Sequence, residues 1–151
     1  MKLAEALLLR SEYNNKIESL QERIKANVKV QEGDAPFEDP QALAEELFAV
    51  YESLYALIKK INLRNGATTL SSGVILSEAL INREALIAKR RFIESVVEEA
   101  TQRDYRSRSS EIKTKVVLSV KELQKQIDTL SKSFRELDTQ IQSANWTTDL
   151  E

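Results

Sequence analysis

Apolar residues recur at alternating steps of three and four along most of this chain, the period of a helix that lays one stripe against a neighbour. The first segment carries Leu3, Ala6, Tyr13, Ile17, Leu20 and Ile24, with Arg10 admitted to the same stripe. Such a narrow seam suits helix–helix packing. It is expected to fade near Val30, because Glu32-Gly33-Asp34-Ala35-Pro36 is turn chemistry. Asp39 then supplies a cap and Pro40 a first helical position, where a missing N–H costs nothing. The second segment is the most apolar: Leu43, Leu47, Val50, Leu54, Leu57, Ile58 and Ile61 form one stripe, and Phe48, Tyr51 and Tyr55 widen it on one side. A face that broad calls for more than one neighbour.

Asn65-Gly66 is the expected left-handed exit from this helix. Next, Thr68-Thr69-Leu70 and Val74-Ile75-Leu76 flank Ser71-Ser72-Gly73 and read as a very short β-hairpin. Ser77 is the predicted cap of a third helix carrying Leu80, Leu86, Ile87, Ile93, Val96, Val97 and Ala100, whose stripe also holds Arg83 and Arg90. A polar connector from Arg103 to Ser110 follows, then a β-branched run from Ile112 to Leu118 that suits extended backbone. Ser119 and Glu122 form a capping box for a fourth helix. Its stripe of Leu123, Ile127, Leu130, Phe134, Leu137, Ile141 and Ala144 is the strongest periodic signal in the chain.

The predicted fold is therefore all-α: an antiparallel four-helix bundle, or a pair of coiled-coil hairpins, with a short β-hairpin between helices two and three. One helical domain spans 1–151, with helices over about 2–30, 40–64, 77–102 and 119–144. At the standard rise these are about 36–42 Å long. In an up-down bundle the acidic stretch 31–46 and the basic stretch 103–115 fall at one end, where they would neutralise each other within the chain or between subunits.

Composition narrows the function classes more than it suggests one. The chain has no His and no Cys, which removes the commonest general base, thiolate chemistry, disulfides and most transition-metal sites. A formal charge of −2 gives no global pull toward nucleic acid or anionic lipid. No run approaches the roughly 18 apolar residues of a membrane span, and Glu5 interrupts the apolar N-terminal stretch, so a helix rather than a signal peptide is expected there and the cytoplasm is the default compartment. No local signature marks an activated Ser or Thr nucleophile. Glu94, Glu98 and Glu99 have spacings that suit Mg²⁺ but read as a solvated face. No catalytic residue, metal site or cofactor is predicted, and the chain reads as non-enzymatic.

Two sets of residues carry what candidate chemistry there is. Arg10, Arg83 and Arg90 lie on or beside apolar stripes, where a guanidinium must pair, reach water or bind an anion. Arg83 and Arg90, with Arg103, Tyr105, Arg106 and Arg108, make a candidate surface for a small anionic or phosphorylated ligand; nucleic acid is disfavoured by the near-neutral charge and the lone aromatic. Phe48, Tyr51 and Tyr55 are the candidate self-association surface, since large aromatic area beyond one seam seeks a partner. Asn145-Trp146-Thr147 matches a glycosylation sequon, a weak pattern, and Trp146 is expected to fold back over the end of the helices.

The segments KLAEALLLR, VQEGDAPFEDP, INLRNGATTL, SRSSEIK and LQKQIDTLSKSFRELDTQIQSANWTTDL together resemble a small uncharacterised bacterial helical protein family whose members often carry the label septicolysin. The resemblance spans essentially the whole chain and implies no catalytic residues. The label implies a pore-forming, oxygen-labile cytolysin. A thiol-dependent lysin needs Cys and a pore needs apolar helices or long alternating strands, so residue chemistry speaks against that activity. The leading expectation is a homo-oligomeric helical assembly module. Second comes a binding protein for a phosphorylated ligand or nucleic acid through the Arg83–Arg108 region, and a membrane-active lysin ranks last.

Overall fold

The computed structural model describes residues 1–102 and 112–151. Four helices follow one another: α1 (Leu3–Asn27), α2 (Pro40–Ala67), α3 (Leu76–Thr101) and α4 (Val120–Thr147). Their starts follow local chemistry. The Glu5 carboxylate accepts the Lys2 backbone N–H at 2.6 Å ahead of α1. Asp39 accepts the Gln41 N–H at 3.0 Å with Pro40 first in α2, and Ser119 accepts the Glu122 N–H at 3.3 Å ahead of α4.

Between α2 and α3 the expected β-hairpin is not formed. α2 runs through Gly66 to Ala67, and α3 starts at Leu76, which leaves too few residues for a ladder. A single antiparallel bridge joins Thr69 and Ile75. Leu70 N–H donates to the Val74 carbonyl at 2.8 Å, and Gly73 takes a positive φ of 86° at the bend. The first helical residue, Leu76, donates its N–H to the Thr68 carbonyl at 2.8 Å, so backbone does the work expected of Ser77. Gly66 is likewise not a left-handed exit; the positive-φ glycines are Gly33 and Gly73. The segment 112–118 forms no strand.

α1 packs against α2, and α3 against α4, as two antiparallel helical hairpins. α1 meets α4 and α2 meets α3 far less, while the backbones of α1 and α3, and of α2 and α4, stay apart. Two core clusters explain this. One holds Leu3, Ala6, Leu57, Ile61, Leu76 and Ile141 among its members, drawn from all four helices. The other holds Ile17, Leu20, Leu43, Leu47, Val50 and Leu54, from α1 and α2 alone. Four-helix packing is thus confined to a hub, where the start of α1, the end of α2, the start of α3 and the end of α4 converge. The connector 28–39 closes the α1–α2 hairpin at the end opposite the hub, and the end of α3 and the start of α4 lie away from the hub as well.

Backbone ties the hub shut. Leu3 N–H donates to the Thr148 carbonyl and Leu150 N–H to the Met1 carbonyl, both at 2.9 Å. Lys2 Nζ sits 3.0 Å from Asp149 Oδ1. Leu3, Leu76 and Ile141 are fully buried there, each stabilising the fold by about 1.5–3 kcal/mol.

The arrangement leaves the chain unusually open. Its accessible surface is 11437 Å², against about 7,800 Å² for a globular monomer of this mass. The α3–α4 hairpin accounts for much of the difference in character. Beyond Ala79 no described residue of α3 is fully buried, and in α4 only Ile141 and Asn145 are, both at the hub end. Leu86, Ile87, Ile93, Val97, Leu123, Ile127, Leu130 and Phe134 are all half-buried. A two-helix ribbon cannot enclose a core by itself.

Candidate functional site

Two of the three stripe arginines, Arg83 and Arg90, are engaged within the chain. Arg10 is exposed. Arg83, on the α4-facing side of α3, donates to Asp138 Oδ1 at 2.7 Å, and both side chains are about seven-tenths withdrawn from solvent. Arg90 lies over the Phe134 ring at 5.4 Å and sits 3.8 Å from Glu94. Both guanidiniums therefore join α3 to α4 and do not converge on an anion pocket. Arg103, Tyr105, Arg106 and Arg108 lie outside the described residues. Among the described residues no group of acidic side chains is placed to hold a metal, Glu94, Glu98 and Glu99 included.

Two carboxylates of the acidic stretch pair within their own hairpin, while the basic residues of 103–111 lie outside the described residues. Glu38 is held by Arg23, whose Nε donates to Oε2 at 3.0 Å, and Glu46 lies 2.9 Å from Lys16. The Arg23 hydrogen bond lowers the Glu38 carboxyl below its usual range, and Glu38 in turn raises Arg23. Asp149 is lowered likewise, by the hydrogen bond from Lys2 and then by its charge. These are fastenings of the hairpin tip and of the hub.

The aromatic residues of α2 divide. Tyr51 is partly buried: its hydroxyl accepts from Gln21 Nε2 at 2.7 Å, and its ring stacks on Tyr55 with centroids 6.3 Å apart. Phe48 and Tyr55 are 65% and 57% exposed. Trp146, expected to fold back, stands inside α4 and is 58% exposed, because the helix continues past it and the hub is closed by backbone instead.

A surface that went unnoticed in the sequence lies on α3. Ile81, Ala85, Ala88, Phe92 and Ser95 repeat at steps of four and three on the side of α3 turned away from α4, and all are exposed. Ile81 and Phe92 are exposed by 70% and 68%. The signal was present in the spacing, but the small alanines and the stronger inner stripe masked it.

Two depressions adjoin the hub. A groove of about 660 Å³ is lined by Leu9, Tyr13, Leu57 and Leu63, with Lys60 and Arg64 among its residues. Another, of about 390 Å³, is lined largely by hydroxyl side chains, Thr68, Thr69, Thr139 and Ser143 among them, beside Gln140. Gln140 Oε1 is buried there without a hydrogen-bond partner.

These features define an all-helical protein of four helices. Residues 10–150 match a family described as a family of unknown function (DUF6847), and the chain belongs to that family. The chain is also similar to a solved structure, the crystal structure of a functionally unknown conserved protein from Corynebacterium diphtheriae. That protein is 36% identical, with 100% of this chain and 99% of that chain covered and a TM-score of 0.92. No curated protein matches. The septicolysin label suggested by resemblance finds no support in these relatives. No helix among the described residues is long and apolar enough to cross a membrane.

Proposed function

We propose that this chain is a non-enzymatic assembly module that works as a homo-oligomer, a single helical domain of the cytoplasm. One observation carries the reading: the chain exposes 11437 Å², about half again the surface of a globular monomer of its size, and keeps apolar side chains on that surface. Exposed apolar stripes with polar borders mark association surfaces. Among the described residues two such faces are the α2 ridge of Phe48 and Tyr55, beside the half-buried Tyr51, and the outer stripe of α3. Absence of His and Cys from the composition removes the commonest alternatives of the catalytic kind.

An anion-binding role through Arg83 and Arg90 draws no support from their geometry, since Asp138 and Phe134 already hold them. Light scattering on a sizing column tests the assembly reading. A mass above the 17.2 kDa of one chain, rising toward a whole multiple with concentration, is the expected result. A strict monomer at every concentration up to about millimolar, the weak limit of specific association, removes it.

A further inference from the structure

We infer that α3 pairs with α3 of a second copy, antiparallel, about a twofold axis at Ala88; this rests on the self-association reading above. The outer stripe of α3 reads Ile81, Ala85, Ala88, Phe92, Ser95, with small residues between two large ones. Steps of four and three are the spacing of a helix–helix seam. Since α4 covers the opposite side of α3 through Arg83–Asp138 and Arg90–Phe134, the stripe stands exposed among the described residues.

The order of sizes selects the register. With the axis at Ala88, Phe92 of each copy faces Ala85 of the other, Ile81 faces Ser95, and Ala88 faces itself. Every large side chain meets a small one, which lets the helices approach closely along the whole stripe. A parallel pairing would set Phe92 against Phe92 and Ile81 against Ile81, with alanines apart in between, and would leave a gap at the centre.

Charge on one flank favours the same register, while on the other flank Lys89 faces its own counterpart across the axis. Glu84 and Arg91 flank one side of the stripe and are exposed. Neither forms an ion pair among the described residues. About the Ala88 axis, Glu84 of each copy comes opposite Arg91 of the other, so one symmetric contact satisfies both charges twice.

Area sets the strength. The stripe from Ile81 to Ser95 runs about 21 Å at the helical rise, and a single helix–helix seam of that length buries on the order of 1,000 Å² in all, the low end of specific interfaces. An interface of that size belongs with the weak, reversible class. Its second consequence is a central four-helix layer, α4–α3–α3–α4, that thickens the ribbon where a single chain encloses no core.

The chain has no cysteine, so one introduced thiol reports one position. Ala88→Cys is expected to form a disulfide-linked dimer under mild oxidation, whereas Ile81→Cys, about 21 Å from its counterpart along the helix axis, does not cross-link. Phe92→Glu changes an exposed side chain, keeps the helical circular dichroism of the native chain, and yields a monomer by light scattering. Glu84→Arg weakens the dimer about tenfold through two new like-charge contacts, and Glu84→Arg combined with Arg91→Glu restores it. If the native chain is oligomeric but Ala88→Cys fails to cross-link and Phe92→Glu keeps its mass, this surface is wrong while the assembly reading stands. Equal cross-linking of Ile81→Cys and Ala88→Cys overturns the antiparallel register. A native monomer overturns both.

Discussion

Truncating Ile141 to Ala tests the hub directly. The side chain is 0% exposed and belongs to the cluster that draws on all four helices. Such a buried large-to-small change costs about 2–5 kcal/mol, the transfer of the lost methylenes plus the cavity left behind. Leu130→Ala provides the contrast. It lies in the same helix but is half-buried in the two-helix ribbon, so about half of its transfer energy, roughly 1 kcal/mol, is lost and no closed cavity forms. In urea, with a slope of about 1–3 kcal/mol per molar, Ile141→Ala should lower the midpoint by about 1–2 M and Leu130→Ala by well under 1 M. Protein concentration must be matched, because association adds stability by mass action. Hydrogen exchange separates local from global loosening. Ile141→Ala should speed exchange in α1 and α2 as well as α3 and α4, and Leu130→Ala only in α3 and α4. Equal midpoint shifts, or unchanged exchange in α1 and α2 of the Ile141 variant, would refute the hub as the joint of the two hairpins.

Three further outcomes follow from the same contacts. Asp39→Ala removes the side-chain acceptor for the Gln41 N–H and should destabilise by about 0.5–2 kcal/mol in thermal melts, since Pro40 cannot replace a cap. Lys2 and Arg23 lower the folded carboxyls of Asp149 and Glu38 below their unfolded values. Their stabilisation is therefore full above the unfolded carboxyl range and is lost as pH falls through the lowered folded values. Chemical denaturation should show this acid slope, and Asp149→Asn with Glu38→Gln should flatten it. Tyr51→Glu breaks the Gln21 contact yet should leave the native mass unchanged, whereas Phe92→Glu should halve it; the reverse pattern would move the interface to the α2 ridge.

Local chemistry made much of the fold legible in the sequence. Asp39-Pro40 and Ser119-Glu122 mark the starts of α2 and α4 because their capping is complete within a few residues. Where the signal depended on distant groups it failed. Gly66 suggested a helix end, but only the Thr68 carbonyl, which accepts the Leu76 N–H, fixes where the turn lies. Ser77 suited a cap that backbone already provides. Heptad stripes do not tell a partner in the same chain from one outside it. They named the helices without revealing that packing of all four is concentrated at one end of the two hairpins. Arg83 and Arg90 stood out as stripe arginines, but Asp138 and Phe134, their partners, lie far along the chain. The α3 outer stripe was readable in spacing alone; knowing that α4 covers the other face gives it meaning.

Sedimentation equilibrium of the native chain, from about micromolar to hundreds of micromolar, where weak and moderate association constants are read, tests self-association most directly. A monomer–dimer equilibrium between 17.2 kDa and twice that mass is predicted. A single 17.2 kDa species across the whole range would contradict it.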